Sequence, residues 1–209
     1  MTHRLALLAP ALLFVALPAI AVAATPAAQA LDLLKESNGF RTVEGQSQVP
    51  AFAQFLAKRL EAGGIPAADI TITPMGETAT LVARFRGTGA KRPLVISAHM
   101  DVVEARAADW ERDPFTPIVE NGYLFGRGSD DNKFDLAVIV TTILQLKAEG
   151  FQPARDIILA LSGDEETSMR TTRALAKEFP DAEFVLNGDG GGGKLDANGK
   201  PVVYDLQAG

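Results

Sequence analysis

The 209-residue chain contains no cysteine. That excludes a disulfide framework, a thiolate metal site, a cysteine nucleophile and a lipid-modified cysteine anchor. Basic residues are in deficit, 20 Lys and Arg against 26 Asp and Glu, for a formal net charge of −6. A general nucleic-acid binder needs a basic footprint for the phosphate backbone, so nucleic acid is excluded as a partner. Histidine is scarce as well: His3 and His99 are the two in the chain. What the chain has in quantity is apolar side chains. At 47% hydrophobic and 22% charged it can bury a core and does not fit intrinsic disorder. At about 100–200 residues per domain, the length suggests one domain.

Leu5 to Ala24 form an almost unbroken apolar run behind a short start containing His3 and Arg4, with a small-x-small exit at Ala21-Val22-Ala23. This is the pattern of a secretory signal peptide over residues 1–23. A retained membrane anchor is the alternative, because the run is nearly long enough to span. Pro10, Pro18 and the Ala-rich exit favour cleavage. Residues 24–209 would then carry 19 basic and 26 acidic side chains, with His99 the remaining histidine. An exported protein without cysteine fits the periplasm or beyond, with no stable membrane insertion once the leader is removed.

Within residues 24–209 the spacing predicts helices over Ala27–Glu36 and Ser47–Ala62, the second capped by Ser47 and closed by Gly63-Gly64. Ile70–Thr73 and Thr80–Phe85 read as strands joined by a Pro74-Met75-Gly76 turn, and Pro93–Ala98 as a buried strand. Ile118–Glu120 and Tyr123–Phe125 suggest a hairpin around Asn121-Gly122. Phe134–Ala148 is the clearest helix; a strand at Asp156–Leu161, a helix at Thr171–Glu178 and strands at Glu183–Leu186 and Val202–Leu206 follow. Strands alternating with helices predict an α/β domain with a largely parallel sheet flanked by helices.

Three of these strands run straight into acidic or imidazole side chains: His99-Met100-Asp101, then Ser162-Gly163-Asp164-Glu165-Glu166, then Asn187-Gly188-Asp189. Ligands collect at the carboxyl ends of strands in open parallel sheets, so one rim should receive all three. Gly126-Arg127-Gly128-Ser129-Asp130-Asp131 adds a fourth segment just before a helix. One imidazole with several carboxylates suits Zn²⁺, Mn²⁺ or Co²⁺, and a surplus of carboxylates suits a pair of metals. Asp101, two residues after His99 in extended chain, points the same way and can orient its ring. Taken singly, Glu165-Glu166 reads as a solvated helix start, Asp130-Asp131 as a cap and Asp189 as a turn residue. Their joint occurrence at successive strand ends favours a metal site.

These motifs, with Asn132-Lys133 completing the glycine-arginine string and Trp110 to Phe115 leading into it, resemble the M20 family of metallopeptidases. The family includes glutamate carboxypeptidases, aminoacylases, dipeptidases and acetylornithine and succinyl-diaminopimelate deacylases. The resemblance covers nearly all of residues 24–209. It implies a zinc-exopeptidase-like catalytic domain that hydrolyses a peptide or N-acyl amino acid with two Zn²⁺, Co²⁺ or Mn²⁺ being possible substitutes. It further implies that Asp131 bridges both metals, that His99 and Asp189 complete one site, and that Glu166 serves the other. Glu165 would be the general base and Asp101 the partner that orients His99.

Two departures accompany the resemblance. Phe134 stands where family members usually carry glycine, and a bulky residue there is expected to repack the helix start next to Asp131. The family also uses a second histidine late in a longer chain, and a lid domain that commonly serves dimerisation. The expectation is therefore an N-terminal part of the catalytic domain, inactive alone, belonging to a longer homodimeric form. A non-catalytic binding module on the same fold and an M28-type aminopeptidase are the alternatives. Nucleotide binding, suggested by Gly188-x-Gly190-x-x-Gly193 after a strand, is rejected because a turn rather than a helix follows.

Overall fold

The computed structural model describes residues 24–189 and 192–205; the leader reading lies outside the described residues. Helix α1 spans Pro26–Asn38. It starts where Thr25, in extended conformation, accepts the Ala28 N–H on its hydroxyl at 3.2 Å, with a proline in the first turn that lacks the N–H a helix start leaves unpaired. Helix α2 spans Val49–Ala62, two residues short of the expected start. Ser47 does not cap it: its backbone is left-handed at φ 51° and its hydroxyl turns to Glu77 instead. Phe52 and Phe55 of α2 gather Phe40 into an aromatic cluster with centroids 5.1 and 5.3 Å from it.

The remaining elements are β1 (Ile70–Met75), β2 (Thr78–Phe85), β3 (Leu94–His99), β4 (Ile118–Glu120), β5 (Tyr123–Phe125), α3 (Lys133–Ala148), β6 (Ile157–Ser162), α4 (Arg170–Glu178), β7 (Phe184–Asn187), β8 (Gly192–Leu195) and β9 (Pro201–Asp205). The five-stranded sheet has the order β1-β2-β6-β3-β7. It is mixed. Strand β3 runs parallel to β6 and to β7, while β1 pairs antiparallel with β2, and β2 antiparallel with β6. Parallel pairing holds where α3 and α4 supply crossovers. Between β1 and β2 the two-residue turn Gly76-Glu77 leaves no room for one. The expected β4–β5 hairpin turns on Asn121 and Gly122, both at positive φ as a type I′ turn requires. Strand β8, pairing with β9, begins inside the glycine cluster, so no helix follows the Gly188 pattern.

Side chains of β6 alternate between two cores. Ile157, Leu159 and Leu161 face a large cluster built on α1, α2 and α3, with Phe52, Leu56, Leu60, Leu136 and Val140. Ile158 and Ala160 face a smaller cluster with Val82, Val95 and Leu175 of α4. Edge strand β7 is exposed along its length. No helix among the described residues is long and apolar enough to cross a membrane.

Where β2 leaves the sheet, Asp156 accepts the Gly87 N–H at 2.8 Å and pairs with Arg84 at 2.7 Å. Burial pushes this carboxyl up, but those bonds and the nearby arginines outweigh it and hold the carboxyl below its usual range. A depressed folded pKa contributes stability above the unfolded carboxylate value that is lost as pH falls through the folded one. Asp156→Asn is expected to cost on the order of 1 kcal/mol at pH 7, a difference that shrinks as pH falls below the ordinary carboxylate range. Urea unfolding of both proteins across that range checks it.

Candidate metal centre

The parallel register decides what meets at the sheet edge. His99, the last residue of β3, is opposite Ser162, the last of β6, so the turn Gly163–Glu166 emerges beside the imidazole. On the other flank Ser97 is opposite Asn187, which delivers Asp189 to the same edge. Helix α3 begins at Lys133, so Asp131 arrives from below the same rim. All six side chains expected at the site are thus brought together or aligned behind it.

His99 is buried, with Nδ1 3.0 Å from the Asp101 carbonyl oxygen and Nε2 2.9 Å from Asp131 Oδ1. Asp189 Oδ2 lies 3.8 Å from the same Nε2. A proton on Nδ1, donated to the Asp101 carbonyl, leaves Nε2 facing the carboxylates as a ligand nitrogen. Burial alone would lower the His99 pKa, yet the bond to Asp101 and the charges of Asp101, Asp189 and Asp131 raise it to about 9. Burial also raises the carboxyls of Glu165 and Glu166; Asp189 adds to this for Glu165 and Asp131 for Glu166, while His99 opposes both. The common demand is for positive charge.

Two groups of side chains have ligand atoms within 4.8 Å of one another: His99, Glu165 and Asp189, and His99, Asp131 and Glu166. They share the imidazole. Glu165 stands as near to His99 and Asp189 as a ligand would, so proximity alone does not separate base from ligand there. A cavity of about 250 Å³ opens beside the first group, between β3, β6, β7 and α4. Its wall is mostly apolar, with His99, Glu165 and Asp189 at one end.

Asp101 does more than the sequence indicated. Its carboxylate accepts the N–H groups of Glu165 and Glu166 at 3.1 and 3.0 Å, tying the β3 and β6 ends together. Its side-chain oxygen is 3.4 Å from His99 Nδ1, so the shorter bond to the ring comes from its backbone. Phe134 is 47% exposed, and Asp131 is in contact with His99. The Asp131–Asn132 peptide bond is cis.

Three buried polar residues beside the site, Asp164, Lys133 and Asn132, stand in the sequence motifs without a role read for them. Asp164 accepts the Arg170 and Thr171 N–H groups at 3.0 and 2.9 Å and so caps α4 from a distance. Burial pushes its carboxyl up, but the Ser168 and Thr171 hydroxyls and those N–H groups hold it low. Lys133 donates from Nζ to the carbonyls of Ser37 and Phe40 at 2.9 and 2.7 Å, 5.1 Å from the Phe52 ring centroid. Burial lowers its pKa to about 7, against the attraction of Asp101. The third is Asn132. A serial glycine-arginine string hints at such residues but does not say which side chain turns inward.

The family model for peptidase family M20/M25/M40 matches residues 95–202, which include His99, Asp101, Asp131, Glu165, Glu166 and Asp189. The chain belongs to that family. This M20 chain is 43% identical over 88 residues to the succinyl-diaminopimelate desuccinylase of Delftia acidovorans, a match covering 41% of this chain and 23% of the relative. It superposes on the di-peptidase Dug1p of Saccharomyces cerevisiae with a TM-score of 0.67 at 21% identity, over 80% of this chain and 40% of that one. Against an M20 family metallo-carboxypeptidase of Sulfolobus solfataricus the TM-score is 0.66 at 22% identity, over 82% of this chain and 39% of the other. The chain therefore spans about two fifths of the solved structures it resembles. Membership of the M20 family sets the M28 alternative aside.

Lys133→Met keeps the stem but removes the ammonium from the carbonyls of Ser37 and Phe40, leaving each only its backbone donor, the Phe40 and Thr42 N–H groups. It is expected to cost about 1–3 kcal/mol, read as a lower midpoint in thermal or urea unfolding.

Proposed function

We propose that the M20 chain carries the metal centre of a zinc-dependent hydrolase that cleaves the amide bond of a peptide or an N-acyl amino acid. The observation that carries this reading is the sharing of one buried imidazole by two groups of carboxylates at the carboxyl edge of the sheet. An imidazole with oxygen ligands and no thiolate fits Zn²⁺, with Co²⁺ or Mn²⁺ as substitutes. His99, Asp131, Glu166 and Asp189 would hold two such ions, Asp131 between them. Relatives named as a desuccinylase, a di-peptidase and a metallo-carboxypeptidase support the amide-bond class.

When bound, the cations would polarise the scissile carbonyl and make the attacking water more acidic. Glu165 then carries the proton. Its carboxylate takes a proton from the water as the new C–O bond forms, and returns it to the amine nitrogen as the C–N bond breaks. Asp101 supports this from behind: its carboxylate holds the Glu165 and Glu166 backbone, and its carbonyl fixes the imidazole with Nε2 outward. Glu165 and Glu166 are adjacent in the chain but belong to different groups around His99, so they can take different roles. The apolar run from Leu5 to Ala24 supports export, with residues 1–23 as the leader.

Chelation of the full-length protein should abolish hydrolysis of dipeptides and N-acyl amino acids, and added Zn²⁺ should restore it. Glu165→Ala is expected to lower kcat by about 10²–10⁴-fold while bound zinc, measured by elemental analysis, stays near the wild-type amount. His99→Ala should lose zinc itself. Hydrolysis that survives chelation, or normal turnover by Glu165→Ala, would overturn the proposal.

A further inference from the structure

Asn132 is 1% exposed and lies between three of the segments that build the metal centre. Its Oδ1 accepts the backbone N–H of His99 at 3.1 Å, at the end of β3. Its Nδ2 donates to the Gly188 carbonyl at 3.3 Å, one residue before Asp189, and to Asp135 Oδ2 at 3.2 Å, in the first turn of α3. Its own carbonyl accepts the Leu136 N–H at 3.1 Å and so opens the helix. Its chain neighbour is Asp131. One carboxamide therefore touches the backbone of His99, the backbone next to Asp189 and the helix that follows Asp131.

The fit needs both halves of the amide. The β3 end offers a donor, and the β7 end and α3 offer acceptors, so a side chain with only acceptors or only donors satisfies one flank and opposes the other. Space at the junction is tight. A Cβ on Gly188 would sit 2.9 Å from the Asp135 Cβ and 3.1 Å from Ile139 Cδ1, so the β7 end is packed hard against α3. Other side-chain bonds join these segments only in pairs, His99 Nε2 with Asp131 Oδ1 and Ser97 Oγ with Asn187 Oδ1 among the described residues, whereas Asn132 joins all three, and carboxylates on either side repel one another.

We propose that Asn132 is a positioning residue that sets the spacing of His99, Asp131 and Asp189 for a divalent cation, without being a ligand. This rests on the metal-centre reading above. Removing the donor half should leave each ligand in place in the sequence but let the β7 end and the start of α3 drift from β3, which weakens the cation site more than the fold.

The test is Co²⁺ binding to the metal-free full-length protein, followed by titration and by the visible absorption bands of the bound ion. Three proteins are compared: wild type, Asn132→Asp, which keeps the acceptor toward His99 and loses both donations, and Leu56→Ala, which loosens the large core from α2 without touching the hydrogen bonds of Asn132. Asn132→Asp is expected to bind Co²⁺ about 10–100-fold more weakly with altered bands, while Leu56→Ala binds with wild-type affinity and bands. Asn132→Ser gives the same reading should Asn132→Asp fail to fold. Wild-type affinity and bands in the Asn132 variant overturn the proposal, as does an equal loss in Leu56→Ala, which would mark the effect as general destabilisation. No Co²⁺ binding by the wild type would instead overturn the metal centre itself, and the role of Asn132 with it.

Discussion

Five carboxylates (Asp101, Asp131, Glu165, Glu166 and Asp189) crowd one buried imidazole, and their mutual repulsion is the constraint on which the rest of the structure depends. Like charges this close are tolerated only beside a compensating positive charge. A proton on His99 meets part of that demand, which is why burial fails to depress its pKa. A divalent cation would meet more of it. The site is thus arranged first of all to hold positive charge. Its geometry follows from a sheet that places three strand ends side by side.

Holding such a cluster open requires a stiff frame, and the frame is made of buried polar side chains bonded largely to backbone. Asp101 ties β3 to the turn after β6, Asp164 ties that turn to α4, and Lys133 ties α3 to the end of α1. Asp101 and Lys133 each span elements distant in sequence, while Asp164 closes the turn that leads directly into α4. Lys133 is the extreme case. Its ammonium lies at the carbonyl end of α1, where the helix dipole favours a cation, and over an aromatic ring. The large core on α1, α2 and α3 backs this frame on one face, while on the other α4 packs a smaller cluster beside the cavity.

Much of this was legible in the residues. The α/β alternation, the hairpin at Asn121-Gly122, the long apolar helix before Gly150 and the strand ends at His99, Glu165 and Asp189 all follow from local patterns of period and turn chemistry. These patterns are strong because one side chain or one dipeptide decides the backbone there. Errors clustered where distant partners intervene. Ser47 has the chemistry of a cap but bonds Glu77, and α2 starts later. The sheet is mixed because the β2–β6 pairing is antiparallel, and strand direction across a long connection leaves no local trace. Phe134 reads as an intrusion in the motif, yet its ring points outward.

The sequence by itself determined the inventory of the site: one imidazole, a set of carboxylates without thiolates, and strands that end on them. Ligand chemistry is a property of residue type, so it needs no coordinates. The tertiary structure alone decided the grouping, with Glu165 beside His99 and Asp189, and Glu166 beside His99 and Asp131. It also decided which polar residues turn inward to brace that arrangement. Both depend on register between strands and on bonds to backbone groups far along the chain, and a hydrogen bond between Asn132 and His99 spans 33 residues that carry no mark of it.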